Sequence, residues 1–143
     1  MRGAFGVTMK LDVAAGDAEN FAMLELAQGF PDSVVAVIAK GQVTREDYRR
    51  ILIPKVEDTF KRHDKARLYY ELGAQFSGID AGAAWEDLKL GIKDLTRWDR
   101  LAVVTDVEWI RNTVSAFRFL IPSEVRVFPT ARTSEARTWI TES

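Results

Sequence analysis

Apolar residues along this chain alternate between short β-type runs and longer stretches with a helical period. Gly29 to Ser33 has turn chemistry, so the first two runs predict an antiparallel pair. The runs at 34–41 and 101–106 are almost continuously apolar, which is typical of strands covered on both faces. The predicted strands are residues 21–27, 34–41, 66–73, 101–106 and 125–130.

Four helical stretches follow or separate these strands. They are predicted from Thr44 to about His63, from Asp80 to Leu95, from Asp106 to Leu120, and from Thr133 or Ser134 to Ile140. Pro54 interrupts the first apolar stripe and lacks a backbone donor, so we expect a kink or a short break there. The order β-β-α-β-α-β-α-β-α predicts an α/β domain with a mostly parallel five-stranded sheet and helices packed on it.

Residues 1–20 show no sustained period, and we expect them to form a flexible N-terminal tail. The remaining residues, 21–143, are enough for one domain with its own core.

The composition excludes several classes of function. With a formal net charge of −1, the chain lacks the clustered basic residues that nucleic-acid binding needs. It has no cysteine, which excludes disulfides, thiolate catalysis and cysteine-ligated metals. No apolar run approaches the roughly 20 residues of a membrane span, and no signal peptide is recognisable. We therefore expect a cytoplasmic protein.

Candidate catalytic groups are few. His63 is the only histidine and lies at a predicted helix end, where interaction with the helix carbonyls explains it. Asp80 and Asp106 stand at predicted helix starts as capping residues. No serine occupies a recognisable nucleophile elbow. The sequence predicts a non-enzymatic domain without catalytic residues, metal site or cofactor.

Glu71 lies inside a predicted strand, between Tyr70 and Leu72. If that strand is central, the carboxylate needs a partner, which Arg67 or Lys65 could supply. If the strand lies at an edge, Glu71 faces water.

Several segments, in order, resemble the bacterial SpoIIAA-like proteins of the STAS/CRAL-TRIO-like fold group: GFPDSVVAVIAKGQVTREDY, ILIPKVE, AGAAWEDLKLG, AVVTDVEWIR and EVRVFP. The resemblance covers residues 23–142 and implies a single STAS-like domain. STAS-type anti-sigma-factor antagonists are protein-binding phospho-switches, whereas CRAL-TRIO domains carry lipids and visit membranes. Ser77 approximates the phosphorylated serine of the antagonists, but the D-S-S-G type of pattern is missing and Asp80 takes the capping position.

Ligands of open α/β sheets usually bind beyond the carboxyl ends of the parallel strands. Aromatic and mildly polar residues are predicted at that edge of the sheet, and no nucleophile–base pair is among them. The expected ligand-binding residues are Phe76, Ser77, Asp80, Trp85, Thr105, Asp106 and Trp109. They favour binding of an apolar, amphipathic or lipid-like small molecule. Transient membrane association could accompany that binding. The alternative is a STAS-type regulatory module that binds a protein partner.

The third predicted helix carries two apolar stripes where a helix on a sheet needs one. A core stripe contains Ile110, Val114, Phe117 and Ile121, and a second contains Trp109, Thr113, Ala116 and Leu120. The second stripe predicts contact with a ligand, a membrane surface or another subunit, as in a homodimer, unless neighbouring helices cover it. The expected membrane or interface residues are Trp109, Arg111, Ala116, Arg118, Phe119 and Leu120.

Overall fold

A computed structural model describes residues 23–73, 78–79 and 95–142. Its main sheet contains β1 (Leu24–Leu26), β2 (Val34–Ala39), β4 (Ala66–Leu72), β6 (Trp98–Val104) and β7 (Glu124–Phe128), in the spatial order β1-β2-β4-β6-β7. β1 runs antiparallel to β2, and the other neighbours are parallel. The predicted mostly parallel five-stranded sheet is confirmed.

A second, two-stranded sheet was not predicted. β3 (Gln42–Val43) pairs in parallel with β5 (Gly78–Ile79). Each strand has two residues, which is too short for an alternating pattern to emerge from the sequence.

Three helices lie in the described part of the chain. α1 combines α-helical Arg45–Asp47, a π-helical turn at Tyr48–Leu52 and α-helical Ile53–Arg62; α2 is Glu108–Phe117; α3 is Thr133–Thr141. Short 3₁₀ turns occupy Leu95–Arg97, Arg118–Leu120 and Thr130–Arg132. The tail predicted at 1–20 and the body of the helix predicted from Asp80 lie outside the described residues.

Thr44 and Asp47 form a reciprocal capping box at the start of α1. The Asp47 backbone N–H donates to the Thr44 hydroxyl at 3.3 Å, and the Thr44 N–H donates to the Asp47 carboxylate at 2.8 Å. At Pro54 the helix is irregular, but it does not contain the short break that was the second of the two expected outcomes. The preceding turn widens, with the Ile53 N–H donating to the carbonyl of Tyr48 five residues back, and the helix continues. This π turn relieves the crowding that a proline ring causes in the turn before it.

The sheet is covered on both faces by different helices. α1 and α2 pack on one face, around a core that includes Leu24, Val35, Val37, Leu52, Val56 and Ile110. α3 packs on the other, around Val34, Ala36, Tyr69, Ala102, Val104, Phe128, Trp139 and Ile140. Successive residues of β2 alternate between the two cores, which explains its continuous apolar run.

Arginines at the amino ends of β4 and β6 hold the end of α3. The Arg67 guanidinium donates to the Ile140 carbonyl at 3.0 Å, and that of Arg100 donates to the Trp139 carbonyl at 2.8 Å. These bonds cap the carbonyl end of α3, where the Trp139 carbonyl also accepts from the Glu142 N–H at 3.3 Å. Arg100 and Arg126 also lie over the Trp139 ring, at 5.2 and 4.7 Å from its centroid.

Glu71 lies on a central strand, and its partner is Tyr69. The Tyr69 hydroxyl donates to the Glu71 carboxylate at 2.6 Å. Neither Arg67 nor Lys65 supplies the expected contact, because four residues of strand separate Arg67 from Glu71 by about 13 Å. Arg67 pairs with Asp99 instead, at 2.9 Å. Burial, reinforced by the bond to Glu71, raises the pKa of Tyr69.

Candidate functional site

The carboxyl end of β6 is one border of the predicted ligand site. Thr105 is buried there, and its hydroxyl accepts a hydrogen bond from the Val107 N–H at 3.0 Å. Asp106 is exposed, and its carboxylate accepts from the Thr130 N–H at 3.0 Å and from the Thr130 hydroxyl. Both side chains are therefore engaged in joining parts of the fold.

Asp106 does not cap α2 as expected. Val107 occupies the capping position and provides no side-chain hydrogen bond. The carboxylate turns instead to Thr130, beyond the end of β7, and the two bonds from that residue lower the pKa of Asp106. A contact across 24 positions of sequence has replaced a local one.

The rest of the predicted ligand site cannot be assembled from the described residues. Phe76, Ser77, Asp80 and Trp85 lie outside them. Of the residues that the structure does place, Thr105 and Asp106 are neighbours in the chain and Trp109 is exposed one turn later on α2. Capture of an apolar small molecule at this rim thus remains a prediction.

Two clefts elsewhere among the described residues have charged walls. A cleft of about 390 Å³ between β7 and α3 is lined by residues that include Arg100, Glu124, Arg126, Glu135 and Glu142. A cleft of about 350 Å³ near the amino ends of β2 and β4 is lined by residues that include Lys65, Arg67 and Asp99. Neither contains a residue of the predicted ligand site, and neither suits an apolar molecule.

The most conspicuous surface lies on α2 and the turn that follows it. Ile110 is buried and Val114 is half-buried in the core, whereas Trp109 is 52% exposed and Phe119 is 82% exposed. Ala116 is exposed on the same helix. The side chains of Phe117 and Leu120 lie outside the described part.

Two basic residues accompany these aromatic rings. Arg111 and Arg118 are exposed, and the Arg118 guanidinium lies 5.2 Å from the centroid of the Phe119 ring. That separation is within cation–π range. We call Trp109, Arg111, Ala116, Arg118 and Phe119 the α2 patch. Within it Arg118 and Phe119 lie side by side, whereas Trp109 and Arg111, two positions apart on α2, point to different sides of the helix.

Polar side chains share the exposed surface of α2, among them Asn112 and Ser115. The Thr113 hydroxyl donates to the Trp109 carbonyl at 2.7 Å, so its polarity is satisfied within the helix. Glu108, in the first turn, is exposed and is the acidic side chain of α2. Along α2, the negative charge therefore lies at the start and Arg118 lies at the end.

A pair of tyrosines that the sequence did not reveal joins α1 to β4. The Tyr48 and Tyr70 hydroxyls lie 2.8 Å apart. Burial raises the pKa of both, and the negative charge of Asp47 adds to the effect. The pair is consequently neutral at physiological pH, and it stabilises the fold without offering a nucleophile.

Within residues 23–73, 78–79 and 95–142, no group of three or more histidine, aspartate or glutamate side chains could hold a metal ion. In the same ranges, no helix has the length and apolar character needed to cross a bilayer.

A family model with the description SpoIIAA-like matches residues 34–141. The chain belongs to the SpoIIAA-like family. Among solved structures, it is similar to an uncharacterised protein with a SpoIIAA-like fold from Shewanella loihica PV-4, with a TM-score of 0.61 and 24% sequence identity. The similarity covers 82% of this chain and 91% of the Shewanella chain. No curated protein matches the chain.

The matched range of this SpoIIAA-like domain begins with β2 and extends to the end of α3. It includes the whole α2 patch. The predicted family and fold are confirmed, whereas a likeness of 24% identity to an uncharacterised protein carries no information about a ligand or partner. The α2 patch is the feature of this domain that can indicate its function.

Proposed function

We propose that this SpoIIAA-like domain is a non-enzymatic binding module that docks reversibly on an anionic membrane surface through the α2 patch. One observation supports the proposal above all: Phe119 is largely exposed with Arg118 beside its ring, and about half of Trp109 is exposed on the same helix segment. Aromatic rings beside arginines are typical of helices that lie in the membrane interface.

The apolar area gives the scale of the interaction. A buried tryptophan or phenylalanine covers about 150–250 Å², so the exposed fractions of Trp109 and Phe119 leave about 300 Å² in water. Complete removal of that area from water would contribute about 7 kcal/mol, and shallow insertion contributes less. Arg111 and Arg118 would each add about 1 kcal/mol near an anionic surface. These terms suit reversible docking.

The shape and charge of the α2 patch favour a membrane over a small ligand. A convex helix surface cannot enclose a small molecule, whereas a bilayer surface covers it without a cavity. Arg111 and Arg118 select anionic headgroups. The expected cytoplasmic location fits as well, since the cytoplasmic leaflet is the anionic one.

Vesicle co-sedimentation tests this proposal. Wild-type protein should bind vesicles that contain phosphatidylserine and should bind pure phosphatidylcholine weakly. Phe119→Ser should lower the partition coefficient about tenfold or more, and Arg118→Gln about threefold to fivefold on the anionic vesicles alone. Matched controls are Leu26→Ser, which removes an exposed apolar side chain from β1, and Arg132→Gln, which removes an exposed charge near α3. Neither control should change binding.

Three results would overturn the proposal. Absence of binding at every vesicle composition would do so, as would equal losses in the control variants. A fold-competent protein that ignores vesicles but captures a protein through the α2 patch would support the STAS-type regulatory alternative instead. Native mass spectrometry of the same sample tests the predicted small-molecule site separately. An apolar adduct that survives Phe119→Ser would support that site.

A further inference from the structure

The outer edge of β7 has a defined pattern of backbone groups. The Thr105 N–H donates to the Phe128 carbonyl at 2.9 Å, so the backbone groups of Phe128 point towards β6. Because these directions alternate along a strand, the N–H and C=O of Val125 and Val127 point away from the sheet. No strand in the described part of the chain pairs with that side.

We propose that β7 pairs with β7 of a second copy of this chain, antiparallel and about a two-fold axis, with Val125 opposite Val125. The two Val125 residues then exchange both of their N–H···O=C bonds. On either side, Val127 of one copy faces Ser123 of the other. The two five-stranded sheets become one continuous sheet, and the proposal does not depend on membrane docking.

Charge complementarity selects this register. With Val125 opposite Val125, Glu124 of each copy lies opposite Arg126 of the other, twice by symmetry. These positions are the non-hydrogen-bonded pairs, at which side chains approach most closely. Both side chains are half-exposed, and within one chain they already pair at 3.2 Å. Each can therefore also contact the opposite charge of the second copy.

Neighbouring registers are unfavourable. A shift of two residues in one direction places Arg126 against Arg126, and a shift in the other places Glu124 against Glu124. Like charges at directly opposed positions destabilise a strand pair. Pro129, beyond the end of β7, has no N–H to offer to a longer pairing. Charged side chains at a sheet edge commonly prevent pairing with another strand. On β7 the opposite charges of Glu124 and Arg126 permit pairing in the one register that places Val125 opposite Val125.

Charge reversal gives the sharpest test, with self-association followed by sedimentation velocity from about 1 µM to about 1 mM, a range that suits a small interface. Glu124→Arg alone and Arg126→Glu alone should each raise the dimer dissociation constant at least tenfold. The double variant Glu124→Arg/Arg126→Glu should restore it. An equimolar mixture of the two single variants should form a heterodimer, because every opposed pair then has opposite charges. Arg132→Gln is the matched control.

A second measurement uses wild-type protein and so does not depend on whether the charge variants fold. In wild-type protein, hydrogen exchange at the Val125 and Val127 amides should slow as concentration rises, while the Arg126 amide should stay protected throughout. Val125→Pro removes an outward N–H and should abolish self-association without unfolding the edge strand. A protein that stays monomeric over the whole range would overturn the proposal. So would a dimer that is indifferent to both charge reversals.

Discussion

The hydrogen bond between Tyr48 and Tyr70 predicts an unequal response to single and double substitution. Tyr48→Phe or Tyr70→Phe leaves the other hydroxyl in an apolar environment without its partner, which should cost about 1–3 kcal/mol. The double variant removes both polar groups at nearly constant shape and should be close to neutral.

Urea denaturation of the four proteins measures this coupling. The midpoint should fall for each single variant with an unchanged slope, and it should recover in the double variant. The corresponding interaction energy is about 2–6 kcal/mol in magnitude, because the double variant should show neither of the two single losses. Additive losses, with the double variant as unstable as the sum of the singles, would refute the bond between these hydroxyls.

Tyrosine titration provides an independent check. The chain has three tyrosines, and the pKa of Tyr48, Tyr69 and Tyr70 is raised in each case mainly by burial. Their contribution to stability is complete below the unfolded pKa of about 10 and is lost as pH rises towards the folded values. Absorbance at about 295 nm should therefore report tyrosinate only together with alkaline unfolding. A normal titration near pH 10 in folded protein would contradict the assigned burial.

Three further predictions address other contacts. Asp106→Ala should lower the thermal midpoint at neutral pH, and the difference from wild type should shrink as pH falls through the lowered pKa of Asp106. Thr130→Val removes one of the two hydrogen bonds to Asp106 and should lower the midpoint by less. Trp139→Ala should cost about 3–5 kcal/mol in chemical denaturation, and more than the same substitution of Trp109, about half of which is exposed. Gly41→Ala should cost about 1–2 kcal/mol, because φ is +72° there; an unchanged midpoint would contradict the left-handed conformation.

Sequence patterns predicted what depends on local periodicity and missed what depends on distant partners. Continuous apolar runs located the main strands, and the position of Pro54 located the irregular turn of α1 but not its π-helical form. Asp106 has the side chain of a capping residue, yet Thr130 binds it from another part of the chain. Tyr48 lies in the predicted first helix and Tyr70 in a predicted strand, but nothing in the spacing of either residue indicates that the two meet. The α2 patch could be anticipated because an excess of apolar residues is visible in the helical pattern itself.

The placement of α3 has a consequence for how the protein is made. α3 alone covers one face of the sheet among the described elements, and it follows every strand of that sheet in the chain. A nascent chain that has emerged only as far as β7 therefore carries an uncovered apolar face that includes Val34, Ala36 and Ala102. Contacts between residues so far apart in sequence form slowly and expose aggregation-prone surface meanwhile. Protection of that face by a chaperone, until α3 docks on it, would matter more for this domain than for one whose layers close in order of synthesis.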